Sequence, residues 1–160
     1  MGDVGCFQHN CSDAEVCVDM KIGDHTCHHD LDVCPSDEWV PFNGKCYYFD
    51  STRPLDENAE LCEGIDAELI RVDNEEVDSF LRSLISRRGL GRVWIRANDK
   101  DVEGEWVWGP GDPVSFTGWY NGEPNSSGNE DCAAIDLFGW HDYPCWVDYH
   151  NSACETSYNI

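Results

Sequence analysis

Gly122-Glu123-Pro124-Asn125, Glu130-Asp131-Cys132 and Trp140-His141-Asp142 are the stretches on which the reading of this chain turns. Within about twenty residues they offer Glu123, Asn125, Glu130 and Asp142 as side-chain oxygens, with Cys132 and Cys145 holding the ends. Oxygen donors in that number suit a hard cation such as Ca²⁺, which takes six to eight oxygens at about 2.3–2.6 Å. They suit zinc poorly, since zinc prefers Cys and His. In so acidic a chain the same residues also read as solvated loop acids. Glu-Pro-Asn favours the cation: an X-Pro bond adopts cis at modest cost, and a cis bond here would turn the Glu123 and Asn125 side chains toward one point.

The bulk properties narrow the setting. A chain of 160 residues has room for one good core and a small appendage. Ten cysteines imply an oxidising compartment, so the expected location is secreted or extracellular. No apolar run approaches the roughly eighteen residues needed to cross a bilayer, so no membrane insertion is expected. Met1 leads into Gly2-Asp3 rather than a basic and then apolar run, the pattern expected of a mature chain. Thirty-two acids against ten bases give a net charge of −22, which repels phosphate backbones and anionic lipid; nucleic acid is excluded as a partner.

Taken in order, residues 1–33 carry Cys6, Cys11, Cys17 and Cys27 with little aliphatic content, and read as a cysteine-rich N-terminal module that needs bridges to fold. Four cysteines allow three pairings. The run Asn10-Cys11-Ser12-Asp13-Ala14-Glu15-Val16-Cys17-Val18 resembles part of an EGF-like repeat, which favours Cys6–Cys17 and Cys11–Cys27; bridges to another chain stay open. His25, His28 and His29 beside Cys27 read as an exposed polar turn rather than a zinc site, because oxidised cysteines do not ligate. From Cys34 the composition turns aromatic, and residues 34–160 form the main domain. Cys34 and Cys46 flank Trp39, Phe42 and an Asn43-Gly44 turn, a bridged hairpin pattern.

Leu55, Ala59 and Cys62 recur at helical spacing after Pro54. A second helix is capped by Asp73 or Asn74, carries Val77, Phe80, Leu81, Leu84 and Ile85 as its apolar stripe, and ends at Gly89. Arg82, Arg87 and Arg88 are expected to oppose its dipole from the C-terminal end. Val93-Trp94-Ile95, Trp106-Val107-Trp108, Cys132–Ile135, Trp140–Asp142 and Ala153–Glu155 read as short strands. The long Gly-, Pro-, Asn- and Asp-rich segment from Gly109 to Glu130 is unusual unless it serves a function.

These residues resemble the C-type lectin domain. The likeness runs from Cys34 to about Glu155 and rests on order and spacing: Cys34-Pro35, Trp39, Cys46-Tyr47-Tyr48-Phe49, Cys62, Trp94-Ile95, Glu103-Gly104, Trp106, Trp108, Trp119, Glu123-Pro124-Asn125, Glu130-Asp131-Cys132, Trp140-His141-Asp142, Cys145 and Cys154-Glu155. It implies an α+β, C-type lectin-like fold of two helices, antiparallel sheets and a long binding loop. It also implies the bridge set Cys34–Cys46, Cys62–Cys154 and Cys132–Cys145. The four tryptophans Trp94, Trp106, Trp108 and Trp140 fall where the family buries them.

By the same resemblance Glu123, Asn125, Glu130 and Asp142 ligate a principal Ca²⁺, and two neighbouring hydroxyls of a sugar complete its sphere. Glu123 accepts a hydrogen bond from one hydroxyl and Asn125 donates to the other. That order matches members that take mannose, glucose, N-acetylglucosamine or fucose; the galactose signature Gln-Pro-Asp is absent. Asp99, Glu103, Glu130 and Asp131 fall at a second metal position, where Ser126 replaces an expected acid. His141 departs from the family's asparagine, and an imidazole suits calcium less well than an amide oxygen. His141 and Tyr143 join the expected sugar contacts. The alternative specificity is an N-acetylhexosamine held by its acetamido group, with Tyr120, Tyr143 or Trp146 packing on it; a second alternative is a protein-binding domain without sugar recognition. No catalytic residues are assigned, so a non-enzymatic carbohydrate binder is expected, in a homo- or hetero-oligomer for avidity. Asn125-Ser126-Ser127 and Asn10-Cys11-Ser12 are formal glycosylation sequons; Asn125 is expected to be unmodified.

Overall fold

The computed structural model describes residues 15–21, 24–29, 33–125 and 129–158. The contact pattern divides the chain into two compact units, one of residues 1–48 with 156–160 and the other Phe49–Glu155. The expected pairings Cys6–Cys17 and Cys11–Cys27, and the position of Ser126, lie outside the described residues. Among the described residues no helix is long and apolar enough to cross a membrane.

In the first unit two hairpins are described. β1 (Glu15–Lys21) pairs antiparallel with β2 (Asp24–His29). β3 (Val40–Phe42) pairs antiparallel with β4 (Lys45–Thr52), Val40 opposite Tyr47. Asn43 and Gly44 make the turn with φ of 48° and 82°, the pair of left-handed residues that a two-residue hairpin loop requires. Cys34 and Cys46 are bridged, as expected, and Val33, Cys34, Trp39, Cys46 and Tyr47 are buried.

The second unit is α+β. Helix α1 (Leu55–Gly64) follows Pro54, and α2 (Glu75–Arg88) starts at Asn74, whose side chain accepts the Val77 N–H at 3.0 Å; it ends at Gly89 with φ 62°. The strands are β5 (Glu68–Leu69), β6 (Val93–Asn98), β7 (Val107–Gly109), β8 (Asp112–Pro113), β9 (Cys132–Asp136), β10 (Gly139–Tyr143) and β11 (Asn151–Ser157). The sheet runs β10-β9-β6-β11, with β5 on β11 and the β7–β8 pair on β6. β9 is antiparallel to both neighbours, while Asn151 of β11 meets Val93 of β6 in parallel. All five β9 residues are buried, so this strand is the floor of the unit. Trp94, Leu55, Cys132, Ala134 and Val147 pack together there, with Leu69, Tyr143 and Cys145 against them.

Two bridges brace this architecture. Cys62–Cys154 ties α1 to β11 across 92 residues, and Cys132–Cys145 ties the start of β9 to the segment after β10. Closing a loop of that longer size removes unfolded-state freedom worth about 4–5 kcal/mol.

Three local expectations change. In α1 the buried positions are Leu55, Asn58 and Cys62, with Ala59 only half-buried. Asn58 is drawn in because its Oδ1 accepts the Ala153 N–H of β11 at 3.2 Å. Arg82 is not one of the charges in the last turn of α2, where Arg87 and Arg88 stand; it points across to the Gly118 carbonyl. Trp106 is half-buried, packed edge-on against Trp119 at 4.8 Å, whereas Trp94, Trp108 and Trp140 are buried.

Candidate functional site

The loop that carries Glu123 is fastened to β10 at its base. Tyr120 N–H donates to the Trp140 carbonyl and Trp140 N–H to the Gly118 carbonyl, both at 2.9 Å. From α2, the Arg82 guanidinium donates to the Gly118 carbonyl at 3.2 Å and the Phe138 carbonyl at 3.4 Å, and pairs with Asp78 at 2.8 Å. Asp78 in turn accepts the Trp140 indole N–H at 2.9 Å. Burial pushes the Asp78 carboxyl above its usual range, against the pull of Trp140 and Arg82. A Cβ at Gly118 would lie 2.7 Å from Asp78 Oδ1 and 2.8 Å from Trp140 Nε1, so the crossing needs glycine.

Beyond this anchor, Glu123 N–H donates to the Tyr120 carbonyl at 2.8 Å, and the Glu123–Pro124 peptide is cis. Asn125 Nδ2 donates to Glu123 Oε1 at 2.8 Å. The Asn125 N–H donates to Asp142 Oδ1 at 3.0 Å, and the Asp142 N–H to Glu123 Oε2 at 3.2 Å. Glu123, Asn125 and Asp142 are therefore brought to one point, from a loop and a strand. Asp142 is buried in β10. Burial first, and the adjacent Asp142 carboxyl second, push the Glu123 carboxyl above its usual range. Two acids crowded with few donors form a site that a positive charge would stabilise.

A second acidic group lies where β6 ends. Asp99, Glu103 and Asp131 each offer an oxygen within 4.8 Å of the others, the only group of three or more potential metal ligands of this kind among the described residues. Glu130 is half-buried beside Asp131 and does not close with Glu123 and Asp142 into a group that tight. Asp99 N–H donates to the Asp131 carbonyl at 3.0 Å, and Asp99 Oδ2 accepts the Gly104 N–H at 2.9 Å. Asp99 Oδ1 is buried without a donor. Burial raises the Asp99 carboxyl, with the Gly104 N–H pulling down and Glu103 pushing up; Asp131 is raised by burial and then by Asp99. With all three ionised, Asp99 Oδ1 is an orphan acceptor that a shared proton or a cation would satisfy.

His141 takes a place of its own. Its Nε2 lies 3.1 Å from Asp136 Oδ2, out of line for a hydrogen bond, and its Nδ1 lies 3.9 Å from Glu123 Oε2. The ring stacks on Tyr120 at 5.2 Å. The His141 side chain is only 13% exposed, so it offers an edge rather than a face. Tyr143, also expected against the sugar, packs under Arg92 at 5.3 Å and against the core beneath β9, and burial raises its phenol. Trp146 is exposed. Asp136 was not singled out by sequence. Its Oδ1 accepts the Phe138 and Gly139 N–H groups at 2.8 and 3.2 Å, and the Asp-Leu-Phe-Gly run between two strands is the turn signature that would have marked it.

Residues 51–156 match the family described as the lectin C-type domain. This chain belongs to the C-type lectin domain family. It is 38% identical over 119 residues to C-type lectin domain family 4 member M of Nomascus concolor, covering 72% of this chain and 29% of the relative. The chain thus spans less than a third of that relative's length. Among solved structures it is similar to the mouse scavenger receptor C-type lectin carbohydrate-recognition domain, with a TM-score of 0.73, 29% identity, and 79% of this chain and 98% of that one covered. It is likewise similar to the cow C-type carbohydrate-recognition domain of CD23 in the presence of GlcNAc2Man3 oligosaccharide, with a TM-score of 0.71, 27% identity, and 80% and 99% covered. The three bridges of this C-type lectin domain are those the resemblance implied.

The residues present fit calcium. Every donor in both groups is a carboxylate or an amide, the buried Asp99 Oδ1 lacks a partner among the described residues, and burial, then neighbouring carboxyls, raises Glu123, Asp99 and Asp131. A hard cation at either place would answer those features, and zinc would find no thiolate or free imidazole pair.

Proposed function

We propose that this C-type lectin domain binds terminal sugars of the mannose and N-acetylglucosamine type through Ca²⁺ held by Glu123, Asn125, Glu130 and Asp142. The observation that supports this reading is the closed set Asn125–Glu123–Asp142, in which one amide and two carboxylates meet at a loop tip anchored to β10. When bound, the cation supplies a Lewis acid for two neighbouring sugar hydroxyls. Glu123 then accepts from one hydroxyl and Asn125 donates to the other. Asp142, fixed in β10, sets where Asn125 stands, and Asp99, Glu103 and Asp131 hold a second ion that steadies the loop. The domain recognises sugar without making or breaking bonds. The cysteine bridges fit an extracellular setting, and a single weak site gains avidity from several copies.

The test is retention on mannose-agarose and GlcNAc-agarose in calcium and release by EDTA. Glu123→Ala and Asn125→Ala lose retention while far-UV circular dichroism is unchanged. Retention on neither resin at any calcium level refutes the reading in favour of a protein-binding domain.

A second reading has its own support in His141, which stands where the family's asparagine is expected and is turned toward Asp136. One fewer oxygen donor weakens the cation site and shifts preference toward N-acetylhexosamines gripped by the acetamido group. Retention on GalNAc-agarose that survives EDTA separates it from the first.

A further inference from the structure

We propose that Tyr120 and Phe138 form a second subsite that takes the apolar face of the next saccharide unit in a glycan chain. The proposal rests on the sugar-binding reading above and names a longer ligand for the same site.

Both rings are open to solvent, Tyr120 at 45% and Phe138 at 63%, with Leu137 beside them at 48%. Large aromatics left open on a small domain call for a reason. The two rings stand edge to face at 6.1 Å. They come from different segments, the loop and the β9–β10 turn, and both segments are locked. Tyr120 is held by its N–H on the Trp140 carbonyl. Phe138 is held by its N–H on Asp136 and its carbonyl on Arg82. Gly139, with φ 144°, would place a Cβ 2.8 Å from the Gly118 carbonyl and 3.0 Å from the Tyr120 nitrogen, so the two segments touch there. The shelf is thus set before any ligand arrives, which lowers the cost of ordering it.

Its position decides the occupant. The Tyr120 carbonyl accepts the Glu123 N–H, and the Tyr120 ring stacks on His141, whose Nδ1 is 3.9 Å from Glu123 Oε2. The shelf therefore continues the surface on which the first sugar would sit. A pyranose has a C–H face that packs on an aromatic ring and an edge of hydroxyls that donate to acceptors. Around the shelf the charged groups are of both signs: the Arg82 guanidinium on the Phe138 carbonyl, Glu123, and Asp136, whose Oδ2 faces Arg92 at 3.4 Å. A pyranose satisfies both, with a C–H face for the rings and hydroxyls that donate or accept along a rim of mixed charge; a purely aliphatic chain satisfies only the rings.

The experiment is calorimetric titration of the calcium-loaded chain with methyl α-mannoside and α-linked trimannoside, and with GlcNAc and its β1,4-linked trimer. Wild type is expected to bind one of the two trisaccharides more tightly than its monosaccharide beyond the statistical factor. Phe138→Ser is expected to leave monosaccharide affinity unchanged and to lower that trisaccharide's affinity about two- to tenfold, the range for one lost aromatic contact. Tyr120→Ser should lower the ratio of trisaccharide to monosaccharide affinity, and Tyr120→Phe should restore the wild-type ratio. Monosaccharide binding with no trisaccharide gain, or a gain that survives both serine variants, overturns the shelf while leaving the sugar site standing. No binding of any of the four sugars overturns both.

Discussion

His150 offers a test that needs no ligand. It is 1% exposed, walled by Trp94 at 4.7 Å, Tyr143 at 4.3 Å and Tyr149 at 4.7 Å, and neither ring nitrogen has a hydrogen-bond partner among the described residues. Burial, and then the charges of Arg92 and His141, lower its pKa to about 4 from 6.5, with Asp136 pulling the other way. The folded chain keeps this ring neutral where the unfolded chain takes a proton. Its contribution is fully present above the unfolded value and is lost as pH falls toward 4. At about 1.4 kcal/mol per unit the full loss is about 3 kcal/mol. His150→Phe keeps the aromatic packing, removes two unpartnered nitrogens and leaves the backbone bond from Arg53 N–H to the residue 150 carbonyl intact. Urea unfolding of both proteins in EDTA, at pH 7.5 and pH 4.5, cancels every group they share. The variant should lose about 2–3 kcal/mol less than wild type on acidification. Equal losses would refute the reasoning.

The carboxylates pull in the opposite sense. Glu123, Asp99 and Asp131 are raised in the folded state, so in His150→Phe without metal the melting temperature should climb as pH falls from neutral toward the ordinary carboxylate range; a flat or falling trend there would contradict the crowding. Calcium should raise the melting temperature at pH 7, by about 2.7 kcal/mol of stabilisation at a hundredfold excess over the dissociation constant. Asp99→Asn should shrink that rise and stabilise the metal-free form, read by differential scanning calorimetry with and without EDTA. Gly139→Ala should destabilise by about 1–3 kcal/mol, since φ 144° and the 2.8 Å approach to the Gly118 carbonyl both oppose a side chain; denaturant midpoints measure it.

Much of the fold was legible because its signals are local or repeat known spacing. Asn74 and Gly89 bracket α2 as cap chemistry dictates, Asn43-Gly44 turns the β3–β4 hairpin, and the short aromatic runs became strands. The convergence of Glu123, Asn125 and Asp142 was legible too, since a short motif meets a strand pinned by the nearby Cys132–Cys145 bridge. What stayed hidden was set by partners distant in sequence. Asn58 reads as a surface helix residue until β11 presents Ala153 N–H to it. Arg82 reads as a helix-end cation until the loop and the β9–β10 turn bring their carbonyls within reach. His150 sits in a polar run, Asp148-Tyr149-His150-Asn151, with nothing to announce that three aromatic rings enclose it.

The Arg82 contacts separate two kinds of freedom. One guanidinium grips the main chain at Gly118 and Phe138, at the base of the loop that carries the proposed sugar site, and it does so through carbonyls that any residue supplies. The loop side chains from Tyr120 to Asn125 take no part in those grips. On the sugar-binding reading proposed above, a lineage, or an engineer, can rewrite ligand preference by exchanging letters at the tip, and the Arg82 anchor beneath keeps its contacts.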